Sequence, residues 1–204
     1  KRAVEDHFDY HPELENWLTE TGKQKALSEI RKIAELANFI YVRQKGPYGN
    51  GTPVLNVKHL IEGEPFVYAF SDDLVLSTTP FTKSMIKAYG ADPGIYVGVK
   101  EVSEAEVSKY GIVEPAKKGS RQIISIVEKP DPKTTPSRLA VFGRYILTPD
   151  IFEALEKIPL GKGGELWIAD GIEYLLKRQA KAYFEKIRDG EWYTTGDPVY
   201  YLKA

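Results

Sequence analysis

Apolar and polar positions alternate at helical spacing early in the chain and at strand spacing later. Leu27, Ile30, Ile33, Ala34 and Ala37 share one face of a 3.6-residue period. Residues 12–37 therefore predict two core-facing helices, broken near Thr21-Gly22. Residues 1–8 already read as a helix, with no strand ahead of them. Residues 38–43 read as a strand, and residues 45–51 as a loop with three glycines and a proline. Residues 52–61 read as a helix, with Thr52 as N-cap and Pro53 in the first turn. Helix (80–89) and strand (94–100) follow, and this alternation argues for an α/β fold with a mainly parallel sheet. Beyond residue 108, residues 111–115 and 122–127 predict a strand pair around Lys117-Lys118-Gly119-Ser120. Residues 141–147 and 182–187 predict strands. Residues 149–158, 166–178 and the stretch from Pro198 predict helices.

The run Pro65-Phe66-Val67-Tyr68-Ala69-Phe70 has no polar alternation and ends in Ser71-Asp72-Asp73. Such a run predicts a strand buried on both faces. Ligands of open α/β sheets sit beyond the carboxyl ends of such strands. Two acids there suit a hard cation such as Mg²⁺, which binds through one or two carboxylates and substrate phosphates. They also suit a turn or a helix cap, and this segment alone leaves both readings open.

Composition narrows the function classes. The 204 residues fit one α/β domain with room for a real core. With 28 basic and 29 acidic residues and a net charge of −1, there is no electrostatic case for a nucleic-acid surface. No apolar stretch approaches a membrane span. The chain has no cysteine and three scattered histidines, which excludes disulfides and thiolate sites and argues against zinc or histidine-based triads. The lack of cysteine fits a reducing compartment.

Three further places could carry chemistry. Asp170 lies opposite the apolar face formed by Ile168, Ile172, Leu175 and Leu176, as a solvated acid near a helix N-terminus or as a second metal acid. Gln44 precedes the glycine loop ending at Gly49 and Gly51, where an amide and nearby backbone groups can read a nucleobase edge. Tyr110-Gly111 and Glu128-Lys129-Pro130 sit at strand ends. Glu128 can accept hydrogen bonds from sugar hydroxyls and Lys129 can meet a phosphate; a surface ion pair is the plainer alternative.

Eight stretches stand in order from first residue to last: KRAVEDHFDYHPELE, VRQKGPYGNG, GEPFVYAFSDDL, YGIVEP, IVEKP, LAVFGRYIL, GGELWIADGI and TGDPVYYLKA. Together they resemble the sugar-1-phosphate nucleotidyltransferases. The resemblance implies a Rossmann-like fold, a cytoplasmic enzyme, relatives that are typically homo-oligomers, and uridylyl transfer from UTP to glucose 1-phosphate. It further implies that Asp72 and Asp170 hold Mg²⁺, that Gln44 and Gly49 read uracil, and that Gly111 contacts the sugar through its backbone. Glu128 corresponds to the residue binding glucose hydroxyls and Lys129 to the one binding the sugar phosphate. Gly143 and Thr195-Gly196-Asp197 correspond to further pocket wall.

Two departures qualify the likeness. Gly49-Asn50-Gly51-Thr52-Pro53 stands where the family usually carries Gly-Leu-Gly-His-Ala. Nothing matches the family's opening strand and its Gly-x-Gly-Thr-Arg phosphate loop, so the expectation is a fragment lacking both, with little turnover alone. Thymidylyl or guanylyl transfer on the same fold, a glycosyltransferase and a non-catalytic nucleotide-sugar-binding remnant remain as alternatives.

Overall fold

In the computed structural model the described residues are 2–61, 63–202 and 204, so Lys1 of the expected first helix lies outside them. Two compact units emerge, Lys1–Arg43 and Gln44–Ala204.

The first unit opens with α1 (Arg2–His7) and continues as a hairpin of α2 (Pro12–Glu20) and α3 (Gln24–Ala34). The hairpin buries Leu18 and Leu27, and Arg31 pairs with Glu15 across it at 2.7 Å. The break falls at Thr21-Gly22, as the pattern predicts. Ala37 is exposed because α3 ends three residues earlier. Residues 38–43 form neither helix nor strand, contrary to expectation. Side-chain stacking holds part of this segment instead. The Phe39 ring stacks on Phe8 at 4.7 Å, and Arg43 pairs with Glu5 at 3.0 Å.

The second unit begins with the loop 44–51 and α4 (Thr52–Asn56). The helix is shorter than expected, since Val57 leaves helical geometry and a 3₁₀ turn, Lys58–Leu60, follows. Thr52 lies inside the helix rather than capping it, and its hydroxyl donates to Pro47 O at 2.7 Å. Then come β1 (Phe66–Ala69), β2 (Asp73–Ser77), α5 (Phe81–Ala91) and β3 (Ile95–Glu101). After them run β4 (Gly111–Pro115), β5 (Ile123–Glu128), β6 (Leu139–Leu147) and α6 (Asp150–Lys157). The chain ends in α7 (Ile168–Leu176), β7 (Ala182–Lys186), β8 (Gly190–Thr194) and α8 (Pro198–Tyr201).

This is a Rossmann-like mixed α/β fold. Its six-stranded sheet has the order β5-β4-β6-β3-β7, with β1 also paired to β6. Tyr145 of β6 stands opposite Tyr68 on one side and Val97 on the other. Among the described residues only β3 and β7 pair in parallel; β6 runs against β1, β3 and β4. Four strands, β1, β3, β4 and β7, therefore point the same way, although most hydrogen-bonded pairs are antiparallel. The predicted β4–β5 hairpin forms in register, Gly111 opposite Glu128. An unforeseen second sheet pairs β2 with β8.

Helices and the small sheet cover the two faces of the main sheet, which explains the almost continuous apolar run of β6. Val141 and Tyr145 pack with Ile151, Leu155, Ile168 and Ile172 of α6 and α7. Phe142 and Ile146, on the alternate face, pack with Phe81 and Met85 of α5 and with Trp192 of β8. The strand at 66–69 departs from expectation: Phe66 and Tyr68 stack on Phe152 and Tyr145, but Val67 and Ala69 are exposed. Its apolar run is buried on one face, not two. No helix among the described residues is long and apolar enough to cross a membrane.

Candidate active site

The two adjacent acids take different positions. Asp73 opens β2 and is buried, with 6% of its surface exposed. Its carboxylate accepts the Gly143 N–H and the Trp192 indole N–H, each at 2.7 Å. Burial pushes its pKa upward, and these two donors pull against that shift. Arg144 fixes the turn ahead of it, donating to the carbonyls of Phe70 (3.3 Å), Gly143 (2.8 Å) and Asp73 (2.7 Å). Gly143 is required here, because any Cβ would overlap the Phe70 ring.

Asp72 is half-buried in the turn between β1 and β2, and its backbone carbonyl accepts the Thr195 N–H at 2.7 Å and the Thr195 hydroxyl at 3.2 Å. Among the described residues its carboxylate accepts no hydrogen bond. A Cβ on Gly196 would stand 2.7 Å from Asp72 Oδ2, so the Thr195-Gly196 turn leaves that oxygen room. A half-buried carboxylate with unused lone pairs suits one ligand position of Mg²⁺.

Gly111 and Glu128 meet at the end of the β4–β5 hairpin, where a Cβ on Gly111 would lie 3.1 Å from Glu128 Oε2. Burial raises the Glu128 pKa to about 7. Lys129 opposes the shift, its ammonium 4.0 Å away, and Asp170 adds to it. Glu128 thus changes charge near neutrality. The Lys129 N–H donates to Tyr110 O at 3.0 Å.

The glycine loop is strapped to the approach of α7. Leu166 N–H donates to Tyr48 O and Gly51 N–H to Leu166 O, both at 2.8 Å. Gly49 has φ 114°, and a Cβ there would lie 2.6 Å from Leu166 N. Its glycine is therefore explained by this close backbone approach. Asn50 takes Tyr68 OH on its carbonyl at 2.9 Å and Ile168 N–H on its side-chain oxygen at 2.8 Å. The latter satisfies one of the unpaired donors that begin α7. Gln44 is exposed at the loop's start.

Asp170 is half-buried in the first turn of α7 rather than freely solvated. Its carboxylate lies against Gly161, where a Cβ would overlap it. Burial, and then Glu173, raise its pKa.

A cleft of about 210 Å³ gathers Asp72, Gly111, Glu128, Lys129 and Gly143, together with the buried Asp73. Asp170, Gln44 and Gly49 do not line it, and among the described residues no three acid or histidine side chains form a metal cluster. Tyr110, singled out with Gly111 in the sequence, also lines the cleft, as do Asn50, Tyr145, Trp167 and Trp192, to which sequence reasoning assigned no role. Aromatic residues beside apolar runs read as core; only the place of Trp167, directly before a helix that follows Gly163-Gly164, set it apart.

The mixed sheet thus carries an acid turn and a Glu-Lys pair beside one cleft, and comparison with known proteins gives this arrangement its class. The family model described as nucleotidyl transferase matches residues 13–204, and the chain belongs to this family. It is 41% identical over 206 residues to UTP–glucose-1-phosphate uridylyltransferase 2 of Staphylococcus saprophyticus, covering 100% of this chain and 71% of the relative. With UTP–glucose-1-phosphate uridylyltransferase of Bacillus subtilis it shares 39% identity over 204 residues, covering 99% and 69%. The solved structure of a UDP-glucose pyrophosphorylase complexed with UDP-glucose superposes with TM-score 0.84 at 39% identity, covering 100% of this chain and 75% of that one. A UTP-bound UGPase from Acinetobacter baumannii gives TM-score 0.87 at 31% identity, covering 100% and 71%.

Proposed function

We propose that the chain carries out uridylyl transfer from UTP to glucose 1-phosphate, giving UDP-glucose and pyrophosphate. The observation that carries the reading is the likeness along the whole chain to a UDP-glucose pyrophosphorylase complexed with UDP-glucose, joined to the cleft that brings Asp72, Gly111 and Glu128-Lys129 together. A phosphate oxygen of glucose 1-phosphate attacks the α-phosphorus of UTP, the bond to the β-phosphate oxygen breaks, and pyrophosphate leaves. No covalent enzyme intermediate is needed, so the protein's share is orientation and charge neutralisation.

In this reading Glu128 and the Gly111 backbone hold the glucose hydroxyls, and the Lys129 ammonium meets the sugar phosphate. Gln44 and the backbone at Gly49 read the uracil edge. Asp72 would hold Mg²⁺ at the cleft, Asp170, which lies outside the cleft lining, would be its second acid on the family resemblance alone, and the ion when bound would neutralise phosphate charge. A bacterial cytoplasm and a homo-oligomeric assembly complete the proposal.

The test is formation of UDP-glucose and pyrophosphate from UTP and glucose 1-phosphate with Mg²⁺, compared with dTTP and GTP. Calorimetry with UDP-glucose accompanies it, because that product carries both halves of the recognition. A chain that binds neither UDP-glucose nor glucose 1-phosphate would overturn the reading, and a preference for dTTP would move it to thymidylyl transfer.

A further inference from the structure

Lys129 is held in an unusual way. Its backbone is left-handed, φ 45°, although the side chain is bulky and the next residue is Pro130. Such a conformation is strained and persists only where its surroundings enforce it. A closed ring of contacts does so. Lys162 Nζ donates to Lys129 O at 3.0 Å, and the Trp167 indole N–H donates to Lys162 O at 2.9 Å. The Lys129 ammonium then sits 4.3 Å from the centroid of the Trp167 ring. The indole is thereby anchored at its edge by the segment that ties the lysine backbone, and it offers its face to the lysine head.

We propose that Trp167 is the positioning residue for Lys129. Its ring face holds the ammonium at the cleft and spares a long, flexible side chain the entropy of being fixed when the phosphate arrives. Tryptophan is the strongest of the aromatic faces for a cation. Glu128, 4.0 Å from the same ammonium, is the competing partner. Trp167 offers Lys129 a second, uncharged seat that leaves its positive charge available to a phosphate. The inference rests on the reading of Lys129 as the cation that meets the sugar phosphate.

A double-mutant cycle on glucose 1-phosphate affinity, measured by calorimetry with the full chain, tests it. Trp167→Leu should weaken binding about three- to tenfold, the size of a cation–π contact at a half-exposed site. Trp167→Phe, which keeps a ring face, should stay within about twofold of the unaltered chain. Trp167→Leu combined with Lys129→Met should bind no worse than Lys129→Met alone, because the tryptophan acts through the lysine. Multiplying losses in the double variant, an unchanged Trp167→Leu, or a Trp167→Phe as weak as Trp167→Leu would each overturn the inference. If Lys129→Met itself has no effect, or the unaltered chain does not bind, the reading of Lys129 falls and takes the inference with it.

A ligand-free measurement covers the case in which Trp167→Leu does not fold. With ¹³Cε-labelled lysine, the Lys129 methylene signal, assigned by its loss in Lys129→Arg, should lie upfield of the other lysines through the indole ring current. A Lys129 signal among the ordinary lysines would overturn the placement.

Discussion

Asp73 accepts the indole N–H of Trp192 at 2.7 Å while its other oxygen takes the Gly143 N–H at the same distance. One buried carboxylate thus ties the β2–β8 sheet to the middle of β6. Asp73→Ala should cost about 3 kcal/mol, since it strands one buried and one part-buried donor and removes hydrogen bonds to a charged group. Asp73→Asn should cost less, because one acceptor survives and an NH₂ faces the other donor. Urea unfolding midpoints check both, and a loss below about 1 kcal/mol for Asp73→Ala would contradict the tie.

Asp72 should behave in the opposite way. Its carboxylate has no hydrogen-bond donor among the described residues, so Asp72→Asn should shift stability by no more than about 0.5 kcal/mol. Under the proposed function the same change should weaken Mg²⁺-dependent UTP binding by at least about tenfold, or 1.4 kcal/mol. Calorimetry with UTP in the presence of Mg²⁺ or of a chelator separates the two effects.

Glu128 should make stability depend on pH near neutrality. Its pKa rises from 4.5 to about 7 on folding because burial disfavours the charged form. The folded state binds the proton more tightly, so the contribution is fully present below pH 4.5 and is lost as pH rises towards 7. The shift amounts to about 3 kcal/mol. Glu128→Gln should therefore flatten that part of the stability profile and leave the variant the more stable of the two above pH 7. Unfolding midpoints between pH 4 and pH 8 read the slope directly. Parallel profiles for the two proteins would show that the carboxyl is not buried as described.

Gly49→Ala should lower stability by more than about 1 kcal/mol, because φ 114° is foreign to alanine and the new Cβ would meet the Leu166 backbone. Proteolysis between residues 44 and 51 should accelerate with it. A neutral substitution would mean that the loop does not need its hold on Leu166.

The parts of the fold that were legible in the sequence are those set by short-range periodicity. The α2–α3 hairpin follows from its apolar spacing, and the β4–β5 hairpin from two apolar runs around a glycine turn. The β2–β8 sheet was not legible, since both strands are short and half polar and they pair across more than a hundred intervening residues. The run at 65–70 announces a strand, but composition does not say whether one face or both are covered. Within the site, Asp72, Gly111, Glu128 and Lys129 were legible as polar groups or glycines at element ends, and the structure brings them to one cleft. Trp167 and Arg144 were not. Their work consists of an indole face and a fork of donors aimed at carbonyls from distant segments, and neither leaves a local pattern.

Asn50 and Gly51 form the dipeptide most prone to spontaneous deamidation, in which the following backbone nitrogen attacks the side-chain amide carbon. The attacking Gly51 N–H is engaged here by Leu166 O, and the Asn50 side chain is fixed in place by the Ile168 N–H on its oxygen. The fold therefore guards this bond against chemical ageing for as long as the loop stays docked. Conversion at Asn50, read by peptide mass after prolonged storage, becomes a clock for how often the loop lets go, and Gly49→Ala should make it run faster.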